Sequence, residues 1–455
     1  MTPKSTTFLF AMALLLGTVH SRGAFAQVVA PSDLATQIDQ IVAPYAAAKD
    51  FMGVIAIQQG DDAPLISAHG LSSIELGTAH HEHGVFMIGS VSKQFTAAAI
   101  LLLEDDEILK TSDVISKFLP EFGSHPPITI HQALAHTSGI GDIYSLKRFG
   151  STGGQVAAFE EVIQDLAALP LTHDPGSRYA YSNGGYAVLA AVIERVSGTA
   201  YGEFLKARIF EPLGLRTMTH DPGPARPGPV PGYAPWGSSQ VEAVLPIAPA
   251  FLSGSGSLWS SAEDLLRWNQ ALHGGELLSP TSYAKFTQDH GNGYGYGVSV
   301  FTRFGRDVIG HDGRVAGYAS DLAYYPNEEL TVAVLSNVES VARDEIRQWI
   351  AAAVFGEDYA LGTPREFASP PTNLAAYVGQ YAFGPNFIVS ISVSSGRLLA
   401  RANQGGFSEL TPLKNGDWFS RMLYATVRFE RDADGAVSQL VWGTGEGAPA
   451  GKRLN

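Results

Sequence analysis

Residues 92–103 are apolar on nearly every face of a helix, and this run constrains the fold more than any other segment. The run contains strong helix formers and ends at the acidic residues 104–106. A helix without a polar face must be enclosed by other elements, so the run predicts a central buried helix. Ser90 would lie at its N-terminus, where free N–H groups and the helix dipole favour a developing negative charge.

Ser90 and Lys93 are three residues apart, so they are predicted to lie side by side on one face of this helix. A serine hydroxyl is a poor nucleophile until an adjacent base takes its proton. A lysine can be that base when burial disfavours its charged form. A plain helix cap would explain Ser90 but not a lysine within an apolar helix. We therefore predict that Ser90 is a nucleophile and that Lys93 is its base.

Two further motifs follow along the chain, Tyr-Ser-Asn at 181–183 and His-Asp-Gly at 311–313. Tyr181 supplies a phenol for a second proton shuttle, and Asn183 supplies an amide that can hold a substrate. The third motif is typical of a strand edge, where Gly313 lets a ligand come close to the backbone. Together the three motifs supply the parts that an acyl-transfer reaction needs.

Each motif occurs a second time, and a single match carries little weight by itself. Ser-x-x-Lys recurs at 282–285, Tyr-x-Asn at 325–327 and His-x-Gly at 273–275. In this second set the histidine motif precedes the serine and the tyrosine. The first set alone keeps the order serine, tyrosine, third motif, and this order favours Ser90.

With this order, and with the flanking segments 128–140, 175–183 and 310–318, the chain resembles the serine β-lactamase and penicillin-binding-protein superfamily. Its second and third motifs resemble the branch of class C β-lactamases, D-peptidases and carboxylesterases. The resemblance covers roughly residues 33–357. It implies an α/β (α+β) fold, in which terminal helices flank an antiparallel sheet and an all-helical region is inserted.

The same resemblance implies roles for individual residues. Ser90, Lys93 and Tyr181 would be catalytic, and Asn183 would contact the substrate. The backbone N–H groups of Ser90 and Arg314 would stabilise the oxyanion. No metal or organic cofactor is implied.

The third motif departs from the pattern of well-known members, which carry a lysine where this chain has His311. That lysine pairs with a substrate carboxylate, whereas a histidine is mostly neutral near pH 7. The departure leaves esters, amides and D-peptides as substrates beside β-lactams. The guanidinium of Arg314 either replaces the missing lysine charge or points to solvent, and the sequence leaves both interpretations open.

The N-terminal segment 1–26 has the pattern of a secretory signal peptide. Lys4 precedes an apolar run at 8–19, which is too short to span a bilayer, and Ala-Phe-Ala at 24–26 offers a cleavage site. An uncleaved anchor is the alternative. We expect a periplasmic or secreted protein, with no stable membrane insertion after signal removal.

The composition excludes several partner classes. Without residues 1–26 the chain has 28 basic and 44 acidic residues, a net charge of −16, which argues against nucleic acid or anionic membrane as a partner. Because the chain has no cysteine, disulfides and thiolate metal sites are excluded. The expected partner is a small-molecule or peptide acyl donor, and the oligomeric state is left open.

We expect a hydrolase domain at 27–358, a linker at 359–373 and a C-terminal domain at 374–455. Short alternating runs at 388–393, 397–401, 425–430 and 438–442 predict that the last domain is a small antiparallel β-barrel. It resembles the lipocalin-like domain of many members of this branch. The segment 219–250, which is rich in proline and glycine, is predicted to be a long surface loop.

Other conspicuous residues support weaker hypotheses. His81 and His83 have the spacing of two zinc ligands, but a site needs three or four, so a polar loop is favoured. His136 is expected to be a hydrogen-bonded structural residue rather than a second base. The Tyr-Gly-Tyr-Gly run at 294–297 either lines the rim of the pocket or opens a strand, and we favour the strand.

The sequence thus predicts an exported serine hydrolase that acts through an acyl-enzyme on an amide, β-lactam or ester carbonyl. The alternative within the same fold is a carboxylesterase or a D-aminopeptidase. The alternative from another class is a penicillin-binding sensor that does not turn over, or a ligand-binding protein.

Overall fold

A computed structural model describes residues 34–454 of the chain, apart from 222–228, 360, 363, 385–386, 404–405 and 445–446. The described chain separates into two compact units. One unit comprises residues 34–364 together with 421–424, and the other comprises 365–420 and 425–454. The predicted signal peptide at 1–26 lies outside the described residues.

The α-helices of the described chain are, in order, α1 (Leu34–Ala47), α2 (Ser92–Asp105), α3 (Ile130–Leu134), α4 (Lys147–Thr152), α5 (Phe159–Ala168), α6 (Asn183–Ser197), α7 (Tyr201–Leu205), α8 (Glu211–Leu213), α9 (Pro249–Leu252), α10 (Ala262–His273), α11 (Pro280–Thr287) and α12 (Ala342–Phe355). A π-helical turn, Lys206–Phe210, joins α7 to α8. Short 3-10 helices span Gly89–Val91, Ile115–Lys117, Pro120–Ser124, Ile143–Ser145 and Leu374–Tyr377.

The strands of the larger unit are β1 (Gly53–Gln59), β2 (Leu65–His69), β3 (Leu71–Ser73), β4 (Thr78–Ala79), β5 (Phe86–Met87), β6 (Gly232–Trp236), β7 (Gln240–Val244), β8 (Trp259–Ser260), β9 (Ser299–Arg303), β10 (Arg306–Val315), β11 (Tyr318–Tyr325) and β12 (Leu330–Ser336). Those of the smaller unit are β13 (Gly379–Gly384), β14 (Phe387–Ser394), β15 (Arg397–Ala402), β16 (Phe407–Pro412), β17 (Trp418–Ser420), β18 (Ala425–Arg431), β19 (Val437–Trp442) and β20 (Ala450–Arg453).

A six-stranded antiparallel sheet with the order β2-β1-β12-β11-β10-β9 is the centre of the larger unit. Its two faces are buried against different helices, because successive side chains of a strand point to opposite sides. On β12, Val332 and Val334 pack with α1 and α12, whereas Ala333 and Leu335 belong to the core around α2. The α/β (α+β) fold with terminal helices on an antiparallel sheet is confirmed.

Helix α2 is enclosed as its sequence predicts. Every residue from Ser92 to Leu103 is buried, including Lys93. Helices α6 and α10 contribute neighbouring side chains to the same core. None of the helices in the described part of the chain combines the length and apolarity that crossing a bilayer requires.

The prediction of one long surface loop at 219–250 is wrong for much of that segment. Strands β6 and β7 pair there as an antiparallel hairpin, and α9 begins at Pro249. The proline and glycine content concealed a strand pattern, because aromatic and β-branched residues stand on both sides of a turn at Gly237. Gly237 has φ +51°, which suits glycine at a hairpin turn.

The smaller unit contains a closed antiparallel barrel in which β13 to β20 pair in chain order, with β20 returning to β13. Its interior is filled by large apolar side chains such as Tyr381, Trp418 and Leu440. The predicted antiparallel barrel is therefore confirmed. The sequence runs anticipated β14, β15, β18 and β19.

Candidate active site

Ser90 lies in the 3-10 turn Gly89–Val91, which leads directly into α2. The preceding segment is fixed by a hydrogen bond from the Ile88 N–H to the Leu258 carbonyl at 2.9 Å. Ser90 is half-buried, whereas its neighbours Gly89 and Val91 are buried. The geometry presents the hydroxyl at the start of a rigid, buried helix.

The ammonium nitrogen of Lys93 contacts three oxygens that carry no formal charge. Nζ lies 3.0 Å from Ser90 Oγ, 2.9 Å from Asn183 Oδ1 and 2.8 Å from the Ser255 carbonyl. Burial lowers the pKa of Lys93 to about 7, against the opposing effect of two carboxylates farther away. A lysine with a pKa near neutrality has the properties of a general base for the Ser90 hydroxyl.

Tyr181 lies in the segment immediately before α6. The Lys93 Nζ lies 4.8 Å from the centre of its ring, and the Ser90 side chain is close enough to lower the pKa of the phenol by hydrogen bonding. The residue is 37% exposed, but the phenol group is packed among other residues, and this desolvation raises its pKa well above the usual range. The phenol therefore keeps its proton at neutral pH, which makes Lys93 the better base of the pair.

Asn183 is the first residue of α6, and the Ser182 hydroxyl caps this helix by accepting from the Gly185 N–H at 2.9 Å. Both the backbone N–H and the side-chain Nδ2 of Asn183 donate to Asp142 Oδ2 at 3.0 Å. Its Oδ1 accepts from Lys93. Asp142 thus fixes the amide so that its oxygen faces the lysine.

The third motif lies in the second half of β10, beyond the residues Arg306–Gly310 that pair with β9. Here the strand approaches the segment before Ser90 so closely that side chains would not fit. A Cβ atom at Gly313 would lie 2.1 Å from the Ile88 carbonyl oxygen, and one at Gly89 would lie 2.9 Å from the Arg314 nitrogen. The two glycines therefore allow both backbones to form one wall of the site.

His311 is a buried, neutral imidazole in this wall. Its Nδ1 lies 2.6 Å from the Asp312 carbonyl oxygen, which can only accept, so Nδ1 carries the proton. Its Nε2 then accepts from the Tyr294 hydroxyl at 3.0 Å. Burial lowers the pKa of His311 to about 4, although Asp312 opposes the shift. The site accordingly has no positive charge at this position near pH 7.

The other charged groups of the third motif are paired. The half-exposed Arg314 guanidinium lies 3.9 Å from a carboxylate oxygen of Glu339, which balances part of its charge. Asp312 forms a 2.5 Å salt bridge with Arg343, whose side chain is buried. Neither pair leaves a strong free cation beside Ser90.

Three further residues complete the site: Asp142 and Ser255, which the sequence did not single out, and Tyr294, which it assigned to the opening of a strand. Asp142 holds Asn183, and Ser255 provides the carbonyl for Lys93. Tyr294 precedes β9 and bonds to His311, so the favoured strand interpretation is wrong for this residue. The Ser-Gly-Ser-Gly-Ser run at 253–257 was the visible signal of a loop that packs closely against another backbone.

His81 and His83, the residues considered as zinc ligands, contact each other and an acidic side chain. The rings of His81 and His83 are 6.2 Å apart, and His83 Nδ1 lies 3.8 Å from a Glu263 carboxylate oxygen. Within the described residues, no three histidine or acidic side chains are grouped as a metal site would require. Two cavities of about 470 and 630 Å³ lie elsewhere, around α6 and α7, with no lining residue from the three motifs.

Comparison with known families agrees with the fold and with the motifs. The Beta-lactamase family model matches residues 38–357. A second model, described as Domain of unknown function (DUF3471), matches residues 363–452. The first match covers most of the chain and contains all three ordered motifs.

Individual proteins extend the comparison. Penicillin-binding protein 4* of Bacillus subtilis (strain 168) is 26% identical over 423 residues, which are 87% of this chain and 93% of that protein. A D-aminopeptidase of Gluconobacter oxydans (strain 621H) is 26% identical over 72% of this chain and 62% of its own length. The crystal structure of a penicillin-binding protein from Bacillus halodurans superposes with a TM-score of 0.62 at 26% identity, covering 72% of this chain and 99% of that one.

Proposed function

Because the chain belongs to the beta-lactamase family of serine hydrolases, we propose that Ser90 attacks the carbonyl carbon of an acyl donor and carries the acyl group as an ester. The observation that carries this proposal is the 3.0 Å contact between Ser90 Oγ and the Nζ of a lysine whose pKa is lowered to about 7. At that pKa a substantial fraction of Lys93 is neutral at physiological pH and able to take the serine proton.

The remaining steps use groups around the same oxygen. The backbone N–H groups of Ser90 and Arg314 stabilise the tetrahedral oxyanion, an arrangement supported by the close approach of Gly89 to the Arg314 nitrogen. Tyr181, which keeps its proton, relays a proton to the leaving group and is reprotonated from Lys93. Water then attacks the acyl ester, with Lys93 as base again, and releases the acid.

We further propose that the substrates are amides, peptides or esters without an obligatory free carboxylate next to the scissile bond. Neutral His311 offers such a carboxylate little Coulomb attraction, and the charge of Arg314 is partly balanced by Glu339. D-aminopeptidases occur among the relatives, which supports D-amino-acid amides and peptides as the first class to test.

A parallel turnover screen tests this choice. The purified protein is assayed with a D-amino-acid amide, a D-alanyl peptide with a free carboxyl terminus, a short-chain ester and a penicillin. We expect the amide and the ester to exceed the two carboxylate-bearing donors in kcat/KM. A preference for the penicillin over both neutral donors would contradict the proposed substrate class while leaving the nucleophile assignment intact.

We also propose that residues 1–26 direct export, so that the enzyme acts in the periplasm or outside the cell. Expression of the full chain in a Gram-negative host, followed by N-terminal sequencing of the periplasmic protein, should give a mature chain that begins at Gln27. Recovery of the uncleaved chain from the cytoplasm alone would contradict export.

A further inference from the structure

His136 follows the short helix α3 and has an uncommon backbone conformation. Its φ is +55°, in the left-handed region that only a few per cent of non-glycine residues adopt. The residue is 1% exposed. A buried histidine held in this conformation, outside the three motifs, calls for a reason in its contacts.

Those contacts surround Tyr181. The His136 carbonyl accepts from the Ala180 N–H at 2.8 Å, and its Nδ1 accepts from the Ser182 N–H at 3.1 Å. The two hydrogen bonds fix Ala180 and Ser182, the neighbours of Tyr181, to the backbone and the side chain of His136. The ring of His136 also lies 4.2 Å from the ring of Tyr181.

The ionisation of His136 suits this role. Burial lowers its pKa well below the usual range, and the nearby Lys93 and His311 lower it further. The imidazole is therefore neutral, and because Nδ1 accepts a hydrogen bond, its proton is on Nε2. A neutral ring keeps the Nδ1 acceptor available throughout the pH range in which Lys93 titrates.

We propose that His136 is a positioning residue that holds the backbone around Tyr181 so that the phenol stays in contact with Ser90. This inference rests on the proposed role of Tyr181. The tyrosine is partly exposed and lies outside the helices and strands, so its backbone depends on the hydrogen bonds of its two neighbours rather than on a helix or a sheet. A displacement of about 1 Å in a catalytic group costs on the order of 100-fold in rate.

Two variants isolate the acceptor from the backbone conformation. His136→Gly and His136→Asn both tolerate positive φ, and both remove the imidazole ring. Only asparagine supplies an oxygen at the position of Nδ1, where it can accept from the Ser182 N–H. The pair therefore differs in the one contact that the inference concerns.

We expect His136→Gly to lower kcat by about 100-fold with KM little changed, and His136→Asn to stay within about 5-fold of the wild type. Folding is verified by thermal unfolding. In the Tyr181→Phe background, adding His136→Gly should lower kcat by less than about 3-fold, because the phenol that it positions is already absent.

Several results would overturn the inference. A folded His136→Asn variant that loses as much activity as His136→Gly would show that the ring, not the acceptor, matters. The inference also fails if His136→Gly retains full kcat, or if its loss is undiminished in the Tyr181→Phe background. Should His136→Gly not fold, the asparagine variant alone decides. A Ser90→Ala enzyme that remains active would instead refute the proposed function itself.

Discussion

The chain contains the Ser-x-x-Lys spacing twice, at 90–93 and at 282–285, and the two lysines differ in their partners. Lys93 is bonded to hydroxyl, amide and carbonyl oxygens, none of which carries a formal charge. Lys285 lies 2.8 Å from the carboxylate of Glu104. A carboxylate partner stabilises the ammonium form, whereas burial among neutral oxygens destabilises it. Spacing alone therefore does not make a lysine into a base.

The two serines differ in the same way. Ser90 is half-buried and faces Lys93 and Tyr181. Ser282 is buried near the start of α11, and its hydroxyl donates to Asp105 Oδ1 at 2.7 Å. A nucleophile needs access for a substrate and an effective base, whereas Ser282 is buried and its partner is a carboxylate whose pKa is lowered, which makes it a weak base. The Ser-x-x-Lys sequence at 282–285 is thus a structural element that connects α11 to the end of α2.

The largest expected difference in kcat is between two single variants, in which either Ser90 or Ser282 is replaced by alanine. Ser90→Ala should lower kcat by a factor on the order of 10⁴ or more, because it removes the group that carries the acyl chain. Ser282→Ala should keep kcat within about 2-fold and lower the free energy of unfolding by about 1 kcal/mol, because it removes a partly buried hydrogen bond to a carboxylate. Steady-state kinetics and urea denaturation of both variants measure this contrast. Equal losses of activity in the two variants would contradict the claim that only Ser90 is catalytic.

The lysines give the next largest contrast. Lys93→Ala should lower kcat by about 10²- to 10⁴-fold, the usual value of a general base, whereas Lys285→Ala should leave it nearly unchanged. Tyr181→Phe should also lower kcat by orders of magnitude. The double variant Lys93→Ala/Tyr181→Phe should lose less than the product of the single losses, because the two residues act as a unit. If Tyr181→Phe were silent, the phenol would have no part in proton transfer.

A smaller effect is expected from the charge at the third motif. His311→Lys should raise kcat/KM for a penicillin by about 10-fold relative to a neutral ester, since an ammonium attracts a carboxylate and a neutral imidazole does not. His311→Gln, which remains neutral, is the matched control and should not change the ratio. A folded lysine variant that loses activity on every donor alike would mean that His311 has a catalytic or structural role.

The smallest effect concerns the pH profile. Because neutral Lys93 is the active form, kcat/KM should fall as the pH drops below about 7. The negative charge of Asp142 raises the pKa of Lys93, so Asp142→Asn should lower that pKa and move the acidic limb to lower pH. A pH series of kcat/KM for the wild type and the variant measures the shift. A limb that moves to higher pH would assign the titration to another group.

Much of the fold was predictable because its patterns are local. Helix α2 and β12 have long apolar runs, the terminal helices α1 and α12 have apolar residues at helical spacing, and the barrel strands β14 and β15 alternate clearly. The short strand β17, with three residues, is too brief to give a pattern. The hairpin of β6 and β7 was missed because proline and glycine dominate the composition of its surroundings.

The site divides in the same manner. Ser90 and Lys93 are neighbours along one helix, so spacing was sufficient to place them together. Ser255 contributes a backbone carbonyl, which every residue has, so no side-chain pattern could mark it. Asp142 bonds to a residue 41 positions away, and this contact exists only in the folded chain. The sequence therefore predicted which chemical groups are available, but the contacts between distant groups are set by the fold.

Peptide mapping after a brief reaction with an acyl donor tests the central claim most directly. Trypsin separates the two serines, since Ser90 lies in the peptide 50–93 and Ser282 in the peptide 268–285. After quenched incubation with a penicillin or an activated ester, mass spectrometry should find the acyl adduct on peptide 50–93, and the Ser90→Ala protein should carry none. The adduct should clear with time, and a permanent adduct without turnover would indicate a penicillin-binding sensor. An adduct on peptide 268–285, or no adduct with any donor that is turned over, would falsify the assignment of Ser90 as the nucleophile.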